Sequence, residues 1–315
     1  MNLTDKIFHD DEAARIHLEA QRWPDGAYCP HCGECEKVTL LGGKSTRPGT
    51  YICKSCRTKF TVTVGTVFER SHIGLAKWML AFRLMASSKK GVSAHQLHRS
   101  LGITYKSAWF MAHRIREAMN MAPEGGLGGE GKVVEADETY FGRVDSPRTM
   151  TTKGHPFKRG KYGAGVANKR AILALVERGG SVRTFHIAEA NRETVEKIVL
   201  ENVHPLSRLH TDESRLYPKV GKEFAAHETV NHTGREYARG DVHVNSAEGF
   251  FGVFKKGMTG VYQHCSEKHL HRYLVEFTFR HNHRSKLGFS DAMRADRALQ
   301  GAEGKRLTYR RTDAA

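Results

Sequence analysis

Two Cys-x-x-Cys pairs constrain this chain more than any other feature. Cys29-Pro-His-Cys32 is followed, twenty residues later, by Cys53-Lys-Ser-Cys56. Each pair turns tightly enough to aim two thiolates at one ion, and two pairs complete the tetrahedron that zinc prefers. A redox-active pair is the competing reading, but compartment argues against it. No run of ~18 apolar residues is present that could span a bilayer, and the N-terminus (MNLTDKIFHDDEAARIHLEAQRW) is polar and acidic where a signal peptide is basic and then apolar. The chain is therefore expected to be cytoplasmic, without membrane contact, where clustered cysteines serve metals in preference to disulfides. Cys29, Cys32, Cys53 and Cys56 are expected to hold a structural Zn²⁺, because four thiolates leave no open position. Short alternating segments between and after the hooks (37–41, 50–53, 59–62) predict the strands of a zinc ribbon. Cys35 and His31 fall off the repeat.

A basic helical segment follows. From Leu75 the apolar residues Trp78, Met79, Phe82, Leu84 and Met85 recur at helical spacing, with Gly91 as the expected C-cap. Ser93 then caps a short helix to Leu101, Gly102-Ile103 make a turn, and a longer helix starts at Thr104. Helix, glycine turn, helix is the helix-turn-helix pattern, whose second helix lies in the DNA major groove. Residues 77–120 carry eight Lys+Arg and one acid, Glu117, within a chain of 50 Lys+Arg against 34 Asp+Glu, net +16. Such an excess points to a polyanion, nucleic acid first.

A glycine-rich stretch over 121–131 marks a domain boundary. Beyond it strands are expected over 132–140, 170–177, 182–188, 208–212 and 227–231, with a helix over 191–202 and a long one from about Ser246. This order predicts an α/β domain with a mixed sheet. Asp137 and Asp212 each close an apolar strand, and Glu248 follows Asp212 by 36 residues on a helix whose Phe250, Phe251 and Phe254 can pack on the sheet. Carboxylates converging at strand ends suit hard, oxygen-ligated cations and phosphoryl transfer. Residues 143–170 add eight bases and one acid, read as a loop able to reach DNA phosphate, and Arg280, His281, His283 and Arg284 are a further candidate DNA-facing group.

Together the ribbon, the helix-turn-helix, EADETYFGR, HTDES and HVNSAEGFFGVFKKG resemble a DDE transposase of a bacterial insertion sequence, of the type that begins with a zinc ribbon. The resemblance spans Cys29 to about Arg284. It implies a ribonuclease H-like catalytic core, two Mg²⁺ or Mn²⁺ ions, double-stranded DNA (element ends and target) as partner, and a homodimer or larger assembly on DNA. By position, Asp137 and Asp212 match the first two acids, Glu248 the third, and Lys255 the basic residue two helical turns on. Asp241 and Val244 stand where many such enzymes carry Tyr and Arg. Asn245, three residues before Glu248 on the same helical face, is the alternative third ligand, and His243 a more distant one.

The expected organisation is a helical segment over 1–28, the ribbon over 29–64, the helix-turn-helix over 75–120, the linker over 121–131, the ribonuclease H-like domain over 132–290 and a polar tail over 291–315, frayed beyond one short helix. The expected activity is binding of terminal inverted repeats with metal-dependent strand cleavage and strand transfer. The alternative is a DNA-binding transcriptional regulator whose ribonuclease H-like domain is catalytically silent; a structure-selective nuclease lies closer to the first reading.

Overall fold

The computed structural model describes residues 2–123, 125–150, 153–156 and 166–308. The chain forms two compact units, one of residues 1–121 with 283–315 and one of residues 122–282.

In the first unit, α1 (Asp11–Arg22) is capped by the Asp10 side chain, which accepts from the Glu12 amide at 3.0 Å. Three short antiparallel strands follow in the order β1 (Val38–Leu40), β2 (Tyr51–Cys53), β3 (Lys59–Phe60). Trp23 packs edge-on against Tyr51 and Phe60 with ring centroids 5.3 and 5.9 Å away, giving this small sheet an aromatic core that its few aliphatic residues could not supply. Asp11 accepts from the Ala76 amide at 2.8 Å, so an acid of α1 caps α2 (Leu75–Ser87). Helix α2 buries Trp78, Met79, Phe82 and Met85. It ends before Gly91, because the Ser88 hydroxyl both donates to the Gly91 carbonyl (2.7 Å) and accepts from its amide (3.0 Å), which closes a turn; Gly91 lies in that turn and is not the cap.

The two helices expected on either side of Gly102 form. Ser93 caps α3 (Ala94–Leu101), Gly102 takes the left-handed conformation (φ 59°) that a side chain would disfavour, and Thr104 caps α4 (Tyr105–Met119). The C-terminal segment holds the one short helix expected there, but it is packed where a frayed polar tail was expected. Residues 291–300 form the last helix among the described residues, whose Ala295, Ala298 and Leu299 recur at i, i+3, i+4 and are buried. Arg294 of that helix donates to the Ala86 carbonyl of α2 at 3.0 Å, which makes 283–308 part of the first unit.

The second unit is a five-stranded sheet built from β4 (Val133–Arg143), β5 (Lys169–Glu177), β6 (Val182–Ile187), β7 (Arg208–Asp212) and β8 (Ala226–Val230), in the order β6-β5-β4-β7-β8. The β6-β5-β4 part is antiparallel and the β4-β7-β8 part parallel. Strand β5 reads as a continuous apolar run because both of its faces are covered. Ala171, Leu173 and Leu175 join a core with Val195 and Val199 of α5 (Arg192–Asn202), while Ile172, Ala174 and Val176 join one with Phe250, Phe251 and Phe254 of α6 (Asn245–Gly257) and Phe277 of α7 (Leu270–Asn282). Among the described residues no helix is long and apolar enough to cross a membrane.

Candidate functional site

The sulfurs of Cys29, Cys32, Cys53 and Cys56 all lie within 4.8 Å of one another. Cys29 and Cys56 are 3.6 Å apart, as are Cys32 and Cys53. Bonds of ~2.3 Å at tetrahedral angles put sulfurs ~3.8 Å apart, so the four fit zinc. The hooks are shaped by the backbone: Gly33 (φ 78°) and Arg57 (φ 58°) turn the chain left-handed directly after Cys32 and Cys56. Hydrogen bonds from Thr58 pull the Cys56 thiol down to about 6, favouring the thiolate that binds metal. Cys32 moves the other way, to about 12: a backbone hydrogen bond at Glu34 favours its thiolate, but desolvation and the three neighbouring thiols outweigh it. Zinc replaces those protons. Cys35 and His31 are exposed and stand outside the cluster.

The carboxylates are arranged differently. Strands β4 and β7 run parallel with Glu135 opposite His210, and two residues further along each come Asp137 and Asp212. Adjacent strands lie ~4.8 Å apart and residues two apart share a face, so the two acids occupy neighbouring positions on one side of the sheet. Asp137 is raised to about 7, first by burial and then by the charges of Glu138, Asp212 and Glu248. Burial also raises Asp212, with Glu213 adding to the rise, while the Ser214 amide (3.0 Å) and His232 oppose it. Glu248 is exposed in the first turn of α6, with His232 Nδ1 3.8 Å from its Oε1. Asn245 is the first residue of α6 and Lys255 lies in its last turn, both exposed. His243 is turned to another partner, its Nδ1 3.3 Å from Glu135 Oε1. Among the described residues, no lysine or arginine is ion-paired to Asp137 or Asp212. Among the described residues the cysteines are the one group of three or more whose ligand atoms all lie within 4.8 Å of one another, and Asp137, Asp212 and Glu248 do not form such a group.

The sequence of the transposase zinc-ribbon domain family matches residues 9–59, and that of the ISXO2-like transposase domain family matches residues 127–282. An uncharacterized protein in transposable element ISH50 of Halobacterium salinarum is 31% identical over 286 residues, covering 87% of this chain and 92% of that protein. The chain belongs to the ISXO2-like transposase family. Solved structures of the Mos1 strand transfer complex (12% identical, 70% of this chain and 74% of that one, TM-score 0.27) and of the Mos1 transposase paired-end complex with left transposon end (12% identical, 71% and 74%, TM-score 0.28) are more distant.

In this ISXO2-like chain the two matched segments leave residues 60–126 between them, so α2, α3 and α4 fall outside both. Several bases counted toward DNA are core residues instead. Arg114 is buried and donates to the carbonyls of Val67 (2.9 Å) and Glu69 (3.0 Å), and Arg116 is buried as well. Arg170 is buried against the carbonyl of Cys265 (2.6 Å), and Arg280 against the carboxylate of Glu276. Lys77, Lys89, Lys90, Arg99 and Lys106 remain exposed, as do Arg143, Arg148, Lys153 and Lys169. The middle of the loop after β4, 157–165, lies outside the described residues.

Two acids of β4 were missed by sequence reasoning. Glu138 faces away from Asp137 and accepts from Tyr217 Oη (2.6 Å) and Ser214 Oγ (3.1 Å), with its carboxyl raised by burial. Glu135 is fully buried. The available signal was the strand KVVEADETY itself, where a second acid shares the face of Asp137.

Proposed function

We propose that the chain is an active transposase that binds the ends of its element through the first unit, then cuts and joins DNA at Asp137, Asp212 and the first turns of α6. The observation that carries this reading is the parallel pairing of β4 with β7, which supports Asp137 and Asp212 as neighbours on one face of the sheet; burial first, then the charges of Glu138, Asp212 and Glu248, raise the Asp137 carboxyl. A carboxyl raised by burial and by neighbouring acids is one whose ionised form a divalent cation would stabilise. Asp137, Asp212 and Glu248 form an all-oxygen donor set suited to Mg²⁺ or Mn²⁺, with the amide oxygen of Asn245 as an alternative to Glu248. Once bound, a pair of such ions activates the attacking hydroxyl and stabilises the leaving oxygen. The chain's own residues supply the rest. Asp137 and Asp212 sit on rigid neighbouring strands, Glu248 and Asn245 approach from one helix face, and Lys255, two turns beyond Glu248, is free to meet a DNA phosphate. In the first unit, exposed Lys106 at the start of α4 and Arg99 of α3 are suited to backbone and groove contacts.

Full-length protein incubated with Mg²⁺, a labelled element end and a supercoiled plasmid tests this. Joined product is expected. Binding alone would favour the regulator reading, and cleavage without joining the nuclease reading.

A further inference from the structure

Glu135 has no place in the chemistry above, yet it is fully buried and carries one of the densest sets of polar contacts in the second unit. Its Oε2 accepts from the amides of Ser246 (2.7 Å) and Ala247 (3.1 Å), the free N–H groups of the first turn of α6. Its Oε1 accepts from Ser246 Oγ (3.0 Å) and from Arg178 Nε (3.0 Å) and Nη2 (2.8 Å). Arg178 in turn donates to the carbonyls of Asp241 (2.7 Å) and His243 (3.2 Å), on the segment that leads into α6. Val244, the cap position, has no side-chain oxygen to offer, so a carboxylate from β4 takes over the capping that a Ser or Asp performs elsewhere.

The geometry gives this contact a consequence. Glu135 and Asp137 are two residues apart on β4 and share a sheet face. Asn245 and Glu248 lie in the first turns of the helix that Glu135 grips. We propose that Glu135 is a positioning residue: by clamping the N-terminus of α6 to β4, it sets the distance from Asp137 and Asp212 to the α6 ligand, whether Glu248 or Asn245. This rests on the reading of those acids as the metal-binding centre. The clamp also reconciles two requirements. The acids on the metal-facing side repel one another, and a helix carrying one of them would otherwise be free to drift outward; the helix N-terminus is instead held by an acid that its amides and Arg178 neutralise.

The test uses the full-length chain with its zinc. Glu135→Gln keeps the shape but loses the charge and one acceptor oxygen, and Ser246→Ala removes only the hydroxyl contact. Three quantities are read: amide exchange at residues 246 and 247, the dissociation constant for Mn²⁺ followed by its paramagnetic resonance, and the Mg²⁺ concentration that half-saturates cleavage. Binding of a labelled element end is the control. For Glu135→Gln, faster exchange at the two amides is expected, with Mn²⁺ affinity and Mg²⁺ requirement both worsened by ~10-fold or more, partial recovery of cleavage at high Mg²⁺, and unchanged end binding. Ser246→Ala moves the same three readouts by a smaller factor, and decides the matter if Glu135→Gln does not fold. Metal affinity and Mg²⁺ requirement within about twofold of the unaltered chain, in a folded variant whose amides exchange faster, would overturn the positioning role. If the unaltered chain binds no Mn²⁺, the metal-centre reading fails and this inference with it; if it binds Mn²⁺ and the variants bind it equally well, only this inference fails.

Discussion

The cysteine cluster and the carboxylate site solve opposite versions of one problem. Four sulfurs come together through two hooks, each only four residues long, whose left-handed turns at Gly33 and Arg57 aim the side chains. The three proposed carboxylate ligands come from β4, β7 and α6, across 111 residues of sequence, and no hook binds them. The ribbon is closed, so its thiols face one another and their protons are displaced by one ion. In the proposed carboxylate site the cost of burial, with the charges of the neighbouring acids, appears as the raised carboxyl of Asp137. A site meant to hold its metal permanently can be built from short-range turns, whereas one that must admit DNA needs its ligands on separate rigid elements and something else to hold those elements in place.

The largest effects should separate the two sites cleanly. Asp137→Ala or Asp212→Ala is expected to lower strand cleavage by on the order of 10³-fold or more while leaving end binding intact, measured by gel assays of cutting and of mobility shift. Cys53→Ser should act on the ribbon, weakening end binding and, with it, cleavage. Loss of one thiolate from a closed site forfeits much of a binding energy of ~10 kcal/mol or more, so amide protection is expected to collapse over residues 29–60 while β4 to β8 keep theirs.

A subtler contrast lies in pH. Asp137 holds its proton to about 7 in the folded chain, against an ordinary 3.8. Between those values the folded state binds the extra proton, so in EDTA stability should fall as pH rises from about 4 to about 7 and level off above. Asp137→Asn should flatten that profile and raise stability near pH 8 by on the order of 1–3 kcal/mol. Thermal melts across the range, with and without Mg²⁺, would show it, and added Mg²⁺ should stabilise the unaltered chain more than the variant. An unchanged profile in Asp137→Asn would place the repulsion elsewhere. The smallest effect is expected from Lys106→Ala, which should flatten the slope of log affinity for an element end against log salt by ~0.9.

The same contrast explains what the sequence disclosed. Short-range signals were legible: the two hooks, the Ser93 cap, the Gly102 turn with a helix starting near Thr104, and β7 as Arg208–Asp212. A short helix near 291–300 was legible too, but small residues such as Ala295 and Ala298 give weak hydropathy contrast, so its packing was not. Charge counting misled for a physical reason. An arginine that satisfies backbone carbonyls in a core, as Arg114 and Arg170 do, has the same letter as one on the surface. Glu135 was invisible because its partners, Arg178 and the Ser246 and Ala247 amides, are 43, 111 and 112 residues away. Asp137 and Asp212, by contrast, could be found because each ends an apolar stretch, and strand periodicity exposes an acid that breaks it.

The central claim is that the acids of β4, β7 and α6 bind divalent metal as one site, separate from the zinc of the ribbon. Mn²⁺ titration of the full-length zinc-loaded chain, followed by paramagnetic resonance, tests it most directly. The account predicts saturable Mn²⁺ binding that disappears in Asp137→Ala and in Asp212→Ala while the zinc content stays at one ion per chain. Mn²⁺ binding that survives both substitutions unchanged would contradict it.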